Sequence, residues 1–228
     1  MGKSADRIIS NSISVFREKG FNATTVGDIA TATGLLKGSL YSHFASKESI
    51  LLEVINRVES IFFEYIQIKN SKKIHEILRK TADFFIQEES CLMANLLAES
   101  LPPSAQSRVV TFFKNWKSLL VEAMDESIDD QSKNIFAEDV ISLFEGNVIM
   151  MKVLKSSDPV NRCLNQLIKN YDALMPSIYL TESQKEKQDY DYREISNNGN
   201  DDTLVCDIHD SDSSSTLSQS SNNEHKSS

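Results

Sequence analysis

The sequence predicts an all-α fold. Three observations carry that reading: the 228 residues include only 7 glycines and 4 prolines, apolar residues recur three and four positions apart over long stretches, and no segment shows sustained period-two alternation. No internal repeat is visible in the sequence.

The first helix is expected over residues 4–19, with Ile8, Ile9, Val15 and Phe16 on its buried side and Ser12 as a small contact. Gly20 ends it, because glycine accepts a left-handed backbone without steric cost. Thr25 is an N-cap for the second helix: its hydroxyl can accept from the amide of Asp28, and Asp28 places an acid in the dipole-positive first turn. That helix ends near Gly34. A short third helix is expected over residues 36–44. Ser46 then caps a long fourth one, in which Ile50, Leu51, Val54, Val58, Ile61, Phe62 and Tyr65 recur at helical spacing until Asn70-Ser71 breaks it. Further helices are expected over residues 72–88, 91–100, 105–127, 134–155 and 159–174. Leu101-Pro102-Pro103 and Ser157-Asp158-Pro159 mark turns, and Pro159 behind Asp158 as cap is a start signal.

Beyond Ser183 the pattern stops. Residues 182–228 hold 11 serines, 5 asparagines and 11 acids against 4 bases. Such a segment buries too little apolar surface to offset its ordering entropy, so a disordered acidic tail is expected. Of the formal net charge of -9, 7 negatives fall in this tail, and the body is nearly neutral. Residues 1–50 carry 6 bases against 4 acids, so the acidic whole does not exclude a nucleic-acid contact at the N-terminus.

Several classes are excluded by composition. No stretch approaches the roughly 20 apolar residues that span a bilayer, and the first residues lack the apolar core of a signal peptide, so a cytoplasmic protein without membrane contact is expected. Cys91, Cys163 and Cys206 are far apart and odd in number, which makes neither a disulfide framework nor a metal pair. There is no His-Glu-x-x-His, Gly-x-Ser-x-Gly or phosphate-cradling glycine loop. An enzyme is therefore not expected, nor are a catalytic residue, a metal or a cofactor.

The informative stretch runs from Thr25 to Phe44. It places Ala30 where two helices cross, Gly34 in the turn between them, and Ile29, Leu35 and Leu40 where a three-helix core needs apolar groups, which is helix-turn-helix spacing. The runs Phe16-Arg-Glu-Lys-Gly-Phe-Asn-Ala-Thr-Thr-Val-Gly-Asp-Ile-Ala and Gly34-Leu-Leu-Lys-Gly-Ser-Leu-Tyr-Ser-His-Phe-Ala-Ser-Lys-Glu resemble the DNA-binding domain of the TetR family of bacterial transcriptional regulators. About 45 residues carry this resemblance. One departure is Leu36, where the family usually has a serine or threonine; the recognition helix so loses a cap commonly worth ~1 kcal/mol.

The resemblance implies DNA contacts at Thr25, Lys37, Gly38, Ser39, Tyr41, Ser42, His43 and Lys47. Thr25 and Lys47, each opening a helix, would hold phosphates through a hydroxyl, an ammonium and free terminal amides, and Tyr41 and His43 would also touch the backbone. Gly38 would let the third helix approach the groove closely, while Lys37, Ser39 and Ser42 reach base edges. Leu40 and Phe44 face inward.

The resemblance also divides the chain into a helix-turn-helix DNA-binding domain (1–50), a helical ligand-binding and dimerisation domain (51–181) and the tail (182–228). The aromatic surplus of Phe62, Phe63, Tyr65, Phe84, Phe85, Phe112, Phe113 and Trp116 on three helices either fills a core or lines a small-molecule cavity. The ligand set expected is Phe62, Tyr65, Phe84, Cys91, Asn95, Phe113 and Trp116. The run Cys91-Leu-Met-Ala-Asn-Leu-Leu-Ala-Glu, followed by Phe113-Lys-Asn-Trp-Lys, is similar to a subgroup in which the cysteine senses electrophiles in some members. Cys91 at a helix start would have its thiolate favoured by amide dipoles, or else would be an inert core residue. Apolar stripes on the last two helices (Phe136, Val140, Leu143, Phe144, Met151 and Leu154; Val160, Leu164, Leu167, Ile168, Tyr171 and Leu174) would pair with a symmetry mate, with Gly146 allowing close approach. The function expected is a homodimeric repressor, released from a palindromic double-stranded operator by a small apolar or electrophilic effector. The alternative is a DNA-binding regulator without such a ligand, controlled by a protein partner or by its acidic tail.

Overall fold

The computed structural model describes residues 2–67 and 73–175. Among them the chain forms α1 (Lys3–Ala23), α2 (Val26–Thr33), α3 (Lys37–Tyr41), α4 (Lys47–Ile66), α5 (Ile74–Glu88), α6 (Leu92–Leu97), α7 (Pro103–Ala123), α8 (Asp130–Leu154) and α9 (Asp158–Leu174), and no strand. The break expected at Asn70-Ser71 and the tail from residue 182 lie outside the described residues.

Local signals set most helix ends. Thr25 and Asp28 form a full capping box, Gly34 closes α2 at φ 66°, and Ser46 caps α4 through the amide of Ser49. Some ends differ from expectation, two of them beside an aspartate that accepts from a backbone amide. Gly20 breaks α1 as expected, standing at the non-helical φ 72° and ψ 175°, and one short turn to Ala23 follows the kink. Asp125 accepts from the Ser127 amide (2.9 Å) in a turn just past α7, whose end therefore comes earlier than expected. Asp129 accepts from the amide of Ser132 (2.9 Å), so α8 opens four residues early. Ser157 occupies the N-cap of α9 without a side-chain bond, and Asp158, expected as the cap, is the first helical residue. Helix α3 is five residues long, shorter than expected, and Leu36 before it makes no side-chain cap.

Helices α1, α2 and α3 pack with the start of α4 around fully buried Ile8, Phe16, Ile29, Leu40 and Leu51. Helix α4 continues into a second set of neighbours, α5 and α7, while α7, α8 and α9 complete the body. All of these helices belong to one compact unit. The body centres on Phe62, whose ring stands 5.1 Å from Phe84, 5.2 Å from Phe112 and 5.1 Å from Trp116. Phe84 and Trp116 meet it edge-to-face, a geometry that adds to the area they bury. Among the described residues no helix is long and apolar enough to cross a membrane, and no cluster of His, Cys, Asp or Glu is placed to hold a metal ion.

Candidate nucleic-acid interface

The capping box at α2 fixes the first element of the interface. The Thr25 amide and hydroxyl both donate to Asp28 Oδ2 (2.8 and 2.7 Å), and Lys19 Nζ donates to Asp28 Oδ1 (2.7 Å). The hydrogen bonds from Lys19 and then Thr25 hold the Asp28 carboxyl well below the usual carboxylate range. Thr25 therefore has no free donor of its own, contrary to the expectation for its hydroxyl. The amides left at this helix start are those of Val26 and Gly27. Lys37 lies across them: a Cβ on Gly27 would stand 3.1 Å from its Cε and 3.3 Å from its Nζ. Two amides, a positive helix end and an ammonium make an anion-binding arrangement.

Lys47 departs from its expected role in the same way. Its Nζ donates to the carbonyls of Phe21 (2.7 Å) and Thr24 (2.8 Å) and stands 4.1 Å from the centre of the Phe21 ring. Two of its three donors thus hold the α1–α2 turn, and one remains. This could not be read from the sequence, because the partners lie 26 and 23 residues away.

Helix α3 offers its outer face to solvent: Lys37, Gly38, Ser39, Tyr41, Ser42 and His43 are all exposed, whereas Leu40 and Phe44 are buried as expected. Ser42 directs its hydroxyl to the Ser39 carbonyl (2.7 Å), leaving its oxygen as an acceptor. A Cβ on Gly38 would meet nothing within 4 Å, so the fold itself does not require glycine there.

The ligand set is only partly brought together. Phe62, Phe84 and Trp116 share the buried aromatic cluster; Tyr65 and Phe113 border it, 5.7 Å from Phe84 and 6.4 Å from Trp116. Asn95 is exposed on α6, away from that core. The cavity beside the rings holds about 10 Å³, near the size of one water, and is lined by Arg17, Phe62, Phe84, Cys91, Leu92 and Phe112 among others. A larger open groove of about 380 Å³ lies at the ends of α5 and α8 between Glu89, Lys152 and Lys155, and uses none of the expected ligand residues.

Cys91 caps α6, accepting from the Ala94 amide through Sγ (3.4 Å), but the expected activation does not follow. Burial, and then the neighbouring Glu145 carboxyl, push the thiol well above its ordinary range. Desolvation outweighs the dipole of a six-residue helix. Burial also pushes Glu145 up to about 7 and Cys163 up to about 11. Glu145, between Phe144 and Gly146 on α8, was not singled out in the sequence; the signal was an acid in an apolar stretch. Among the described residues, Trp116 Nε1, Thr81 Oγ1, Glu145 Oε1 and Arg17 Nε are buried without a hydrogen-bond partner.

Known proteins share this arrangement. The family model of bacterial regulatory proteins, tetR family, matches residues 8–54. The HTH-type transcriptional repressor DhaR of Mycobacterium sp. (strain GP1) is 24% identical over 188 residues, covering 75% of this chain and 91% of that protein. The HTH-type transcriptional regulator LmrA of Bacillus subtilis (strain 168) is 27% identical, over 74% of this chain and 98% of the relative. A TetR transcriptional regulator from Legionella pneumophila has the same fold, with a TM-score of 0.67 and 23% identity over 75% of this chain and 98% of that one. Residues 8–54 are a TetR-family DNA-binding domain, and the chain is a DNA-binding transcriptional regulator.

Proposed function

We propose that the chain is a cytoplasmic homodimeric repressor, released from a palindromic operator when a small apolar molecule enters the aromatic core. Residues 1–50 would read DNA and residues 51–181 would take the effector and dimerise. The reading rests on one observation above others: a helix-turn-helix with a solvent-exposed recognition face is joined through α6 to a core that holds three polar atoms without partners, Trp116 Nε1, Thr81 Oγ1 and Glu145 Oε1. Buried polar atoms are rarely left unpaired, so an effector carrying a donor and an acceptor satisfies what the protein leaves open. The cavity beside the rings is about 10 Å³ and none of these three atoms lines it, so such a molecule must displace rings to reach them, which couples its binding to a change of state.

Phosphates would be held by the Val26 and Gly27 amides with Lys37, by the α4 terminus with the last donor of Lys47, and by Tyr41 and His43. Ser39 and Ser42 would meet base edges across Gly38. Of the stripes expected to face a symmetry mate, Phe136, Val140, Phe144, Met151, Val160, Leu167 and Tyr171 are buried within the protomer. Dimerisation would instead use the exposed side of α8, where Ile135, Leu143, Ile149, Met150, Val153 and Leu154 form a stripe with Gly146 open at its middle. The name of the relative DhaR supports repression.

The test is a thermal-shift screen of apolar and aromatic compounds on the purified protein, followed by duplex-binding measurements with each stabilising compound. A compound that raises the melting temperature and lowers operator affinity supports the reading. If none does so, while deletion of residues 183–228 changes DNA binding, control through the acidic tail replaces it.

A further inference from the structure

Leu36 has the highest exposure of the large apolar side chains in the described residues, at 80%. It occupies the N-cap of α3 with an extended backbone and makes no side-chain cap. Its carbonyl accepts from the amides of Ser39 (2.9 Å) and Leu40 (3.2 Å), so its backbone is fixed while its side chain stands free. Leu35, one residue earlier, packs against the core, and Lys37, Gly38 and Ser39 after it are exposed. Leu36 thus contributes neither to the cap nor to the core, in a position where a serine would stabilise the helix.

We propose that Leu36 is a sequence-reading residue that packs on the C5-methyl group of a thymine in the major groove. The inference rests on the reading that α3 enters that groove. The first residues of a recognition helix are those that meet base edges. A leucine side chain can neither donate nor accept, so phosphates and the polar edges of guanine, cytosine and adenine offer it nothing. The thymine methyl is the one apolar group on the major-groove edges of the four bases. Burying a methyl-sized group corresponds to about fourfold in affinity.

The experiment uses the full-length protein and its Leu36→Ala variant. Duplexes retained by each from a randomised pool are sequenced, and affinities are measured by fluorescence anisotropy at one salt concentration. Each half-site thymine of the wild-type site is then replaced singly by deoxyuridine, which removes only the methyl. The expected result is one thymine whose replacement weakens the wild type about fourfold and leaves Leu36→Ala unchanged, with the variant's retained sites losing the preference there. The side chain is exposed, so the variant should keep the parent's melting temperature. The proposal is overturned by a retained half-site without thymine, by replacements that leave the wild type unaffected, or by equal losses in both proteins. Retention of no sequence above random by the wild type would overturn the reading of α3 itself, and the proposal with it.

Discussion

The carboxylate of Glu99 closes over Gly20. Its two oxygens accept from the amides of Phe21 (2.9 Å) and Asn22 (2.8 Å), and a Cβ on residue 20 would overlap Oε1. Gly20 is also at φ 72°, a backbone that a side chain disfavours. The contact holds the first amides of the short turn that follows the kink at Gly20. It also ties the residue just past the end of α6 to the helix-turn-helix, while Cys91, Leu92 and Met93 at the other end line the cavity. The paired Arg17 and Glu88 side chains make a second link between α1 and the body.

Gly20→Ala should destabilise the protein by about 1–3 kcal/mol, since backbone strain and the clash act together. Glu99→Ala should cost about as much through two lost charge-assisted bonds. Urea denaturation of each variant checks both. Gly20→Ala with parental stability would mean that Glu99 swings away freely and that the contact is incidental.

The buried thiols should be slow to react. In native protein near pH 7, Cys91 should label no faster than Cys163, because burial raises both thiols and Glu145 opposes ionisation of Cys91 further. Thiol labelling of single Cys→Ser variants against pH measures this. Rapid labelling of Cys91 at neutral pH would restore the electrophile-sensor role that the helix position alone implied.

Glu145 should make stability depend on pH. Its carboxyl is pushed up to about 7 in the folded state from an ordinary 4.5, so between those values the folded protein keeps a proton that the unfolded chain has lost. Stability then falls as pH rises through this window, by on the order of 3 kcal/mol in all, and is unaffected by this group below it. Glu145→Gln should remove that loss, raising stability at pH 8 and changing it little at pH 4.5. Equal effects at both pH values, read from denaturant midpoints, would exclude a buried protonated carboxyl.

The α8 stripe should hold the dimer. Ile149→Asp with Val153→Asp places two charges on exposed side chains that make no intrachain core, so the fold should survive while sedimentation shows monomer. A double variant that remains a dimer would move the interface elsewhere.

How much of this was legible follows from distance along the chain. Thr25, Gly34 and Ser46 were readable because a cap or a left-handed turn is settled by three or four neighbours. The exposed face of α3 was readable for the same reason. Lys47, Glu99 and Glu145 were not, since their partners lie far away in sequence and a solvated charge looks the same as a buried one in a string of letters. Cys91 shows both halves: its place at a helix start was visible, and the burial that reverses the chemical consequence was not. The aromatic surplus was visible too, but only packing shows that Phe62 gathers the rings into a nearly closed core.

Gly38 offers the most direct test that α3 reads DNA. Its Cβ position is open, so Gly38→Val should leave melting temperature and oligomeric state near those of the parent, yet put a branched side chain where the helix must approach the bases. The measurement is anisotropy of full-length protein on a retained duplex and on a scrambled one, at one salt concentration. The parent should bind the retained duplex about 10³-fold or more tightly than the scrambled one, and Gly38→Val should lose most of that ratio while keeping the weak salt-dependent component. A folded Gly38→Val dimer with the parent's ratio would contradict the assignment of α3 as the element that reads sequence.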